Sequence, residues 1–160
     1  MARTSTPPPA DRLLRTHVRV AAVCSGFHRD LTRALVAGAR ARLAEAGLAE
    51  GHLEEHWVPG AFEAPFAAKV LAETGRYAGI VALGAVVRGE TAHFDHVCYA
   101  ASQGLTRVAL DTGVPCAFGI LTCDTAEQAW ARAGGGVGNA GADAADAVVA
   151  LVNLTGAIGL

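Results

Sequence analysis

Two rhythms of apolar and polar positions alternate along this chain. The unbroken apolar run at residues 80–87 reads as a strand buried on both faces of a sheet, and the largely apolar stretches 18–24 and 116–121 read as two more strands. A fourth stretch, 53–58, is less apolar and alternates, as an edge strand does. Between the runs the apolar spacing changes to that of helices. After the first strand Leu31, Leu35, Gly38, Ala39, Leu43 and Ala46 share one face, and Gly47 is a natural stop. Pro65 suits the first turn of a second helix that runs to about Thr74 and closes at Gly75. A third helix is predicted over 94–111, with Val97, Ala101, Leu105 and Val108 inward. Asp124-x-x-Glu127 has the form of a capping box, with Asp124 as the cap of a short helix ending near Ala133. The run Gly134-Gly135-Gly136-Val137-Gly138-Asn139 then breaks the chain. A last helix over 142–154 is expected to bury Ala144, Ala147, Val148, Leu151 and Val152.

Strands alternating with helices imply right-handed crossovers and parallel pairing. The fold class is therefore α/β: a three-layer sandwich with a central four-stranded parallel sheet and helices on both faces. No internal repeat is visible. Residues 1–15, with Pro7-Pro8-Pro9, are expected to form a flexible arm, because proline supplies no N–H to a sheet. Residues 16–160 are then one domain, a length that allows a sizeable core.

Composition narrows the picture. With 52% hydrophobic and 18% charged residues the chain is globular. A formal net charge of -2 without a basic cluster argues against nucleic acid as a partner. No apolar run has the length of a membrane span, and residues 1–17 lack the apolar core of a secretory signal, so a cytoplasmic protein is expected. Cys24, Cys98, Cys116 and Cys123 form no C-x-x-C pair and read as small reduced thiols.

In parallel sheets ligands collect outside the carboxyl ends of the strands. Those ends carry Phe27-His28, Gly60 to Glu63, Arg88 to His93, and Thr122. Gly84-x-x-x-x-Gly89 with Thr91 has the outline of a P-loop, but Glu90 stands where the lysine is required. Arg88, the amides of 89–91 and the Thr91 hydroxyl suit a phosphate, and His93 offers an imidazole able to take and give protons near pH 7. The bland alternative is a βα turn that only caps a helix, although a cap needs one polar side chain and this turn has five. Phe27 suits stacking on a flat ring or a lid over the core. Glu63 suits ligand hydroxyls or a helix dipole, and Arg132 an anion or the carboxyl end of the short helix. His93-x-x-His96 with Asp95 lacks a further ligand pattern, so no metal site is expected. The single lysine, Lys69, lies mid-helix away from the rim, which leaves Schiff-base chemistry without an enzyme amine.

Several separated motifs resemble lumazine synthase: Phe27, Val58 to Pro65, Arg88-Gly89-x-Thr91-x-His93-Phe94-Asp95, Phe118-Gly119-x-Leu121-Thr122, and Glu127-Gln128-Ala129-x-x-Arg132-Ala133-Gly134. The resemblance covers about 18–154 and implies the flavodoxin-like strand order 2-1-3-4. It implies formation of 6,7-dimethyl-8-ribityllumazine from 5-amino-6-(D-ribitylamino)uracil and 3,4-dihydroxy-2-butanone 4-phosphate, with release of phosphate and water and without a cofactor or metal. It implies that Phe27 stacks on the pyrimidine, that Ala61, Phe62 and Glu63 hold the ribityl chain, and that Val86 and Val87 offer backbone groups. Thr91, the Glu90 amide and Arg132 would bind phosphate and His93 would move protons. Phe118 and Arg132 would reach the site from a neighbouring subunit of a pentamer, decamer or sixty-subunit shell, and riboflavin synthase is a candidate partner. Two positions depart from the family pattern: Ala140 stands where a lysine is usual, and His96 where an aromatic residue is common. The first leaves open a weakened paralogue that binds flavin or lumazine, or builds a shell.

Overall fold

A computed structural model describes residues 12–15 and 17–159. The central sheet contains β1 (Val20–Ser25), β2 (Leu53–Val58), β3 (Gly79–Val87) and β4 (Cys116–Cys123), all parallel, in the order β2-β1-β3-β4. The expected order and pairing are thus found. α1 (Arg29–Glu45) and α5 (Ala140–Ala157) cover one face, while α2 (Ala64–Glu73) and α3 (His93–Thr112) cover the other.

The interior follows from side-chain size. On the α1/α5 face Leu35, Leu43, Leu83, Val148, Val149 and Val152 are almost fully buried. Burying each such side chain contributes roughly 1.5–3 kcal/mol. On the other face the facing residues are mostly small, with Ala64, Ala68, Ala72 and Ala101 against Ala21, Val23 and Ala82, so α2 and α3 lie close on the sheet. β3, central and buried over most of its length, explains its unbroken apolar run. β2 lies at an edge and is only half-buried, which explains its polar alternation.

Where the structure departs from the sequence reading, local contacts explain it. The cap of α4 (Ala126–Ala131) is Thr125, whose Oγ1 accepts from the Gln128 N–H at 3.2 Å. Gln128 Oε1 in turn accepts from the Asp124 N–H at 2.9 Å. The capping box therefore sits one residue downstream of the expected one, and the Asp124 carboxylate is left for Arg88. In α5 the buried stripe is Ala144, Ala145, Val148, Val149 and Val152, whereas Ala147 and Leu151 are exposed. Both stripes are apolar, so periodicity does not separate them. The rotation is fixed at Gly141, which presses on α1 so closely that a Cβ there would stand 2.0 Å from the Leu35 carbonyl oxygen.

The glycine-rich run is not a plain loop. It forms a small antiparallel hairpin, β5 (Ala133–Gly135) and β6 (Gly138–Asn139), with Gly134 and Gly138 at φ of 106° and 113°. Only glycine adopts such angles readily. Asn139 ends the hairpin and caps α5, accepting from the N–H groups of Gly141 and Ala142 at 2.8 and 3.1 Å. Its Nδ2 donates to the Ala34 carbonyl at 3.1 Å, tying hairpin, α5 and α1 together.

The expected arm falls largely on residues 1–11, outside the described residues. At its inner end Leu13 is buried and donates its N–H to the Ala46 carbonyl at 2.8 Å. Asn153 holds both neighbours, its side chain accepting from Leu14 N–H and donating to the Arg12 carbonyl.

Candidate active site

The exits of β1 and β2 are joined at the carboxyl rim. Gly26 N–H donates to the Val58 carbonyl at 2.8 Å, and Phe27 N–H to the Pro59 carbonyl at 3.1 Å. This fixes Phe27 and His28 beside the turn Ala61–Glu63, a single 3-10 turn that leads into α2. Gly60 makes room for both sides. A Cβ on it would stand 3.3 Å from Glu63 Oε2 and 3.6 Å from the Phe27 ring, so carboxylate and ring meet over a bare Cα.

β3 supplies the floor. Its pairing with β1 stops at Cys24 and Leu83, whereas its pairing with β4 continues to Val87 and Cys123. Beyond Leu83 the edge that faced β1 has no strand beside it, and its backbone groups are left to the cavity. That cavity has a volume of about 440 Å³. Phe27, His28 and the Gly60–Glu63 turn form one wall, Ala85, Val86 and Val87 the floor, and His93 with Val97 the other wall. Its size and mostly apolar lining with a few polar groups suit a small organic ligand. Phe27 is 72% exposed, which leaves its ring face free for stacking.

Seven of the residues predicted from the sequence come together here: Phe27, Ala61, Phe62, Glu63, Val86, Val87 and His93. Glu90 and Thr91 lie on the exposed turn between β3 and α3, outside the lining. The Thr91 Oγ1 accepts from the His93 N–H at 3.3 Å, so its own hydrogen remains available to an acceptor. Phe118 and Arg132 are elsewhere. Phe118, 44% exposed, lies on β4, between Cys116 and Ile120, which pack towards α2 and α3, at an edge those helices do not fully cover. Arg132 ends α4, exposed, with Nη1 donating to the Gln128 carbonyl at 3.0 Å.

Arg88 does not serve the anion site expected of it. Its Nε donates to Asp124 at 2.7 Å, Nη1 reaches Asp95 at 3.4 Å, and the guanidinium lies 4.3 Å from the centre of the Phe94 ring. The Asp124 hydrogen bond, with Asp95 beside it, holds the guanidinium pKa above its ordinary value. Arg88 is thus a clamp between the exits of β3 and β4. Burial raises the thiol pKa of all four cysteines, pushing Cys24 up to about 12 and Cys116 up to about 11, which disfavours the reactive thiolate. Among the described residues no group of three or more His, Cys, Asp and Glu side chains gathers as a metal site would. Among them also, no helix is long and apolar enough to cross a membrane.

Of the four lining residues without an assigned role in the sequence reading, His28 is the one with a polar side chain. His28 sits at φ 53°, ψ 52°, the one non-glycine residue with positive φ among those described. Such a conformation costs of the order of 1–3 kcal/mol and tends to occur at functional sites. The Phe27-His28 break at a strand's end was the available signal.

Fold and rim together define a flavodoxin-like α/β protein in which an aromatic ring, a carboxylate and an imidazole line one cavity above the strand ends. The family model of 6,7-dimethyl-8-ribityllumazine synthase matches residues 17–156. Two curated relatives named 6,7-dimethyl-8-ribityllumazine synthase, from Coxiella burnetii strains CbuG_Q212 and RSA 493 / Nine Mile phase I, are each 48% identical over 136 residues. The matched stretch covers 85% of this chain and 90% of each relative. The chain belongs to the 6,7-dimethyl-8-ribityllumazine synthase family, transferases of riboflavin biosynthesis.

Proposed function

We infer that this chain condenses 5-amino-6-(D-ribitylamino)uracil with 3,4-dihydroxy-2-butanone 4-phosphate to give 6,7-dimethyl-8-ribityllumazine, phosphate and water. The observation that carries the site assignment is the shared cavity of Phe27, Glu63 and His93. The pyrimidine stacks on Phe27, its polar edge meets the unpaired backbone of Val86 and Val87, and the ribityl hydroxyls meet Glu63 and the backbone of Ala61 and Phe62. The substrate's own amine attacks the ketone, and loss of water leaves an imine. Phosphate then leaves as a proton is removed, His93 being the group placed to move protons; the enol left behind becomes a ketone, the ribitylamino nitrogen attacks it, and loss of a second water closes the ring. The Thr91 hydroxyl and the Glu90 N–H, at the mouth beside His93, receive the phosphate. Much of the rate comes from holding two reactants in register, worth roughly 7–11 kcal/mol in well-oriented cases.

Phe118 and Arg132 complete the cavity of a neighbouring copy. This reading rests on their exposure and on their absence from the cavity lining of their own chain. It makes the working unit a closed homo-oligomer, with the pentamer as the simplest form. Its place is the cytoplasm. The test is to mix the purified protein with both substrates and follow the product by absorbance and fluorescence. Turnover above the spontaneous reaction supports the assignment; product binding without turnover replaces it with a flavin- or lumazine-binding role.

A further inference from the structure

A second cavity, of about 550 Å³, opens on the opposite rim, where the strands begin. The segment before β1, the α2–β3 connection and the α3–β4 connection form it, and Thr155 of α5 closes one side. Its charged side chains are all basic: Arg15, His17, Arg19 and Arg76. One carboxylate, Glu54, reaches them, and it is shared. It accepts from Arg19 Nη1 at 2.5 Å, from Arg76 Nη2 at 3.3 Å and from the Tyr77 hydroxyl at 2.5 Å.

Among the described residues Arg15 has no such partner. Its Nε is buried without an acceptor, and the guanidinium lies over Gly156, where an added Cβ would stand 3.0 Å from that nitrogen. A desolvated guanidinium donor left unpaired is a group in want of an anion. The carboxyl ends of α2, α3 and α5 also come to this rim, and their partial negative charge offsets part of the excess. End carbonyls are already engaged, however, Ala72 by the Gly75 N–H, Ala109 by Gly113 and Leu154 by Ile158. Opposite the arginines, Val18, Val114 and Pro115 make an apolar wall.

We propose that this cavity binds a small organic phosphate, its dianionic group held by Arg15 and Arg76 and its apolar part against Val114 and Pro115. Guanidiniums arriving from separate segments suit the several oxygens of a phosphate better than a single carboxylate. A cleft of this size suits a small molecule. The site lies at the opposite end of the strands from His93, so its occupancy does not depend on the reaction there.

The probe is radiolabelled inorganic phosphate, followed by equilibrium dialysis of the intact assembly at low ionic strength. The expected result is two classes of site per chain. Substituting Arg15→Gln and Arg76→Gln together weakens one class by about tenfold or more, as loss of a charge-assisted hydrogen bond does, and leaves turnover unchanged. Arg76→Gln alone, at a side chain 60% exposed, weakens the same class without disturbing the core. Arg132→Gln acts on the other class and lowers turnover, so failure of either site is told apart from failure of the other. Phosphate binding that is unaltered by both basic-rim variants, in protein that retains its melting temperature, overturns the proposal.

Discussion

On the β1–β2 side of the carboxyl rim, Phe27, Glu63 and His93 enclose a cavity built within one chain. On the β4–α4 side, Phe118 and Trp130 stand 44% and 47% exposed, Arg132 is exposed at the end of α4, and none of the three lines that cavity. Both sides are products of the same sheet. The difference comes from position in it: β3 is central, so the turns beyond it have neighbours to pack against, whereas β4 is an edge strand with helices covering only part of its surface. Large apolar side chains left outward on such an edge mark a surface to be covered by another protein, here a second copy of this chain. Under the function proposed above, one half of the site is the pocket, and the other half is its complement carried on a different edge.

The strongest way to break that comparison is complementation. His93→Ala disables the pocket half and Arg132→Ala the complementary half, so each variant alone is expected to be nearly inactive. Dissociated, mixed and reassembled, the two should regain about a quarter of wild-type activity, because a working site then needs the intact half from each of two randomly paired neighbours. If the mixture is no more active than its parts, the two halves belong to one chain and the shared site is wrong.

His93→Ala taken alone sharpens the chemistry of the pocket side. A drop in kcat of about 10²–10⁴-fold is expected for loss of a positioned acid/base, with a smaller change in binding of the pyrimidine substrate. Steady-state kinetics with each substrate varied separates the two. An equal loss in binding of both substrates would reassign His93 to a structural part.

The next expected effect is on stability and belongs to the other side. Asn139→Ala removes the cap of α5 and leaves the Ala34 carbonyl without its side-chain donor. The expected loss is about 1–3 kcal/mol, measured by denaturant unfolding. Because the hairpin connects directly to Arg132, which accepts the Ala140 N–H at its carbonyl at 2.8 Å, affinity for the phosphate-bearing substrate should fall as well. A variant that loses stability and keeps that affinity would show that hairpin and Arg132 are uncoupled.

The same contrast explains what could be read from the sequence. The strands, the layers and the pocket half follow from periodicity and from polar residues at strand ends, and these are properties of short segments; the strand order follows only from the family resemblance. The rotation of α5 depended on Gly141 against Leu35, a contact between residues far apart in the chain, and no local pattern reports it. The role of Arg88 was misjudged for the same reason. A guanidinium after a strand looks free until Asp124, from another strand's exit, is placed 2.7 Å away. Thr125 displaced Asp124 as helix cap as part of that same exchange.

Ala140 is the position where the two halves differ least visibly and where the smallest effect is expected. It is the first residue of α5, half-buried and packed against the core, with its N–H committed to the Arg132 carbonyl. A lysine there would have to carry its stem over the hairpin, and its ammonium would stand near Arg132 on the exposed edge, facing whatever pocket that edge covers. Added positive charge at a solvent-exposed site contributes about 0.2–1 kcal/mol, so Ala140→Lys should lower KM for the phosphate-bearing substrate by at most a few-fold and leave kcat nearly unchanged. The gain should shrink as salt is raised, since exposed charges are screened. A large rise in kcat would instead mean that the ammonium enters the chemistry, and that in this chain another group has been covering for its absence.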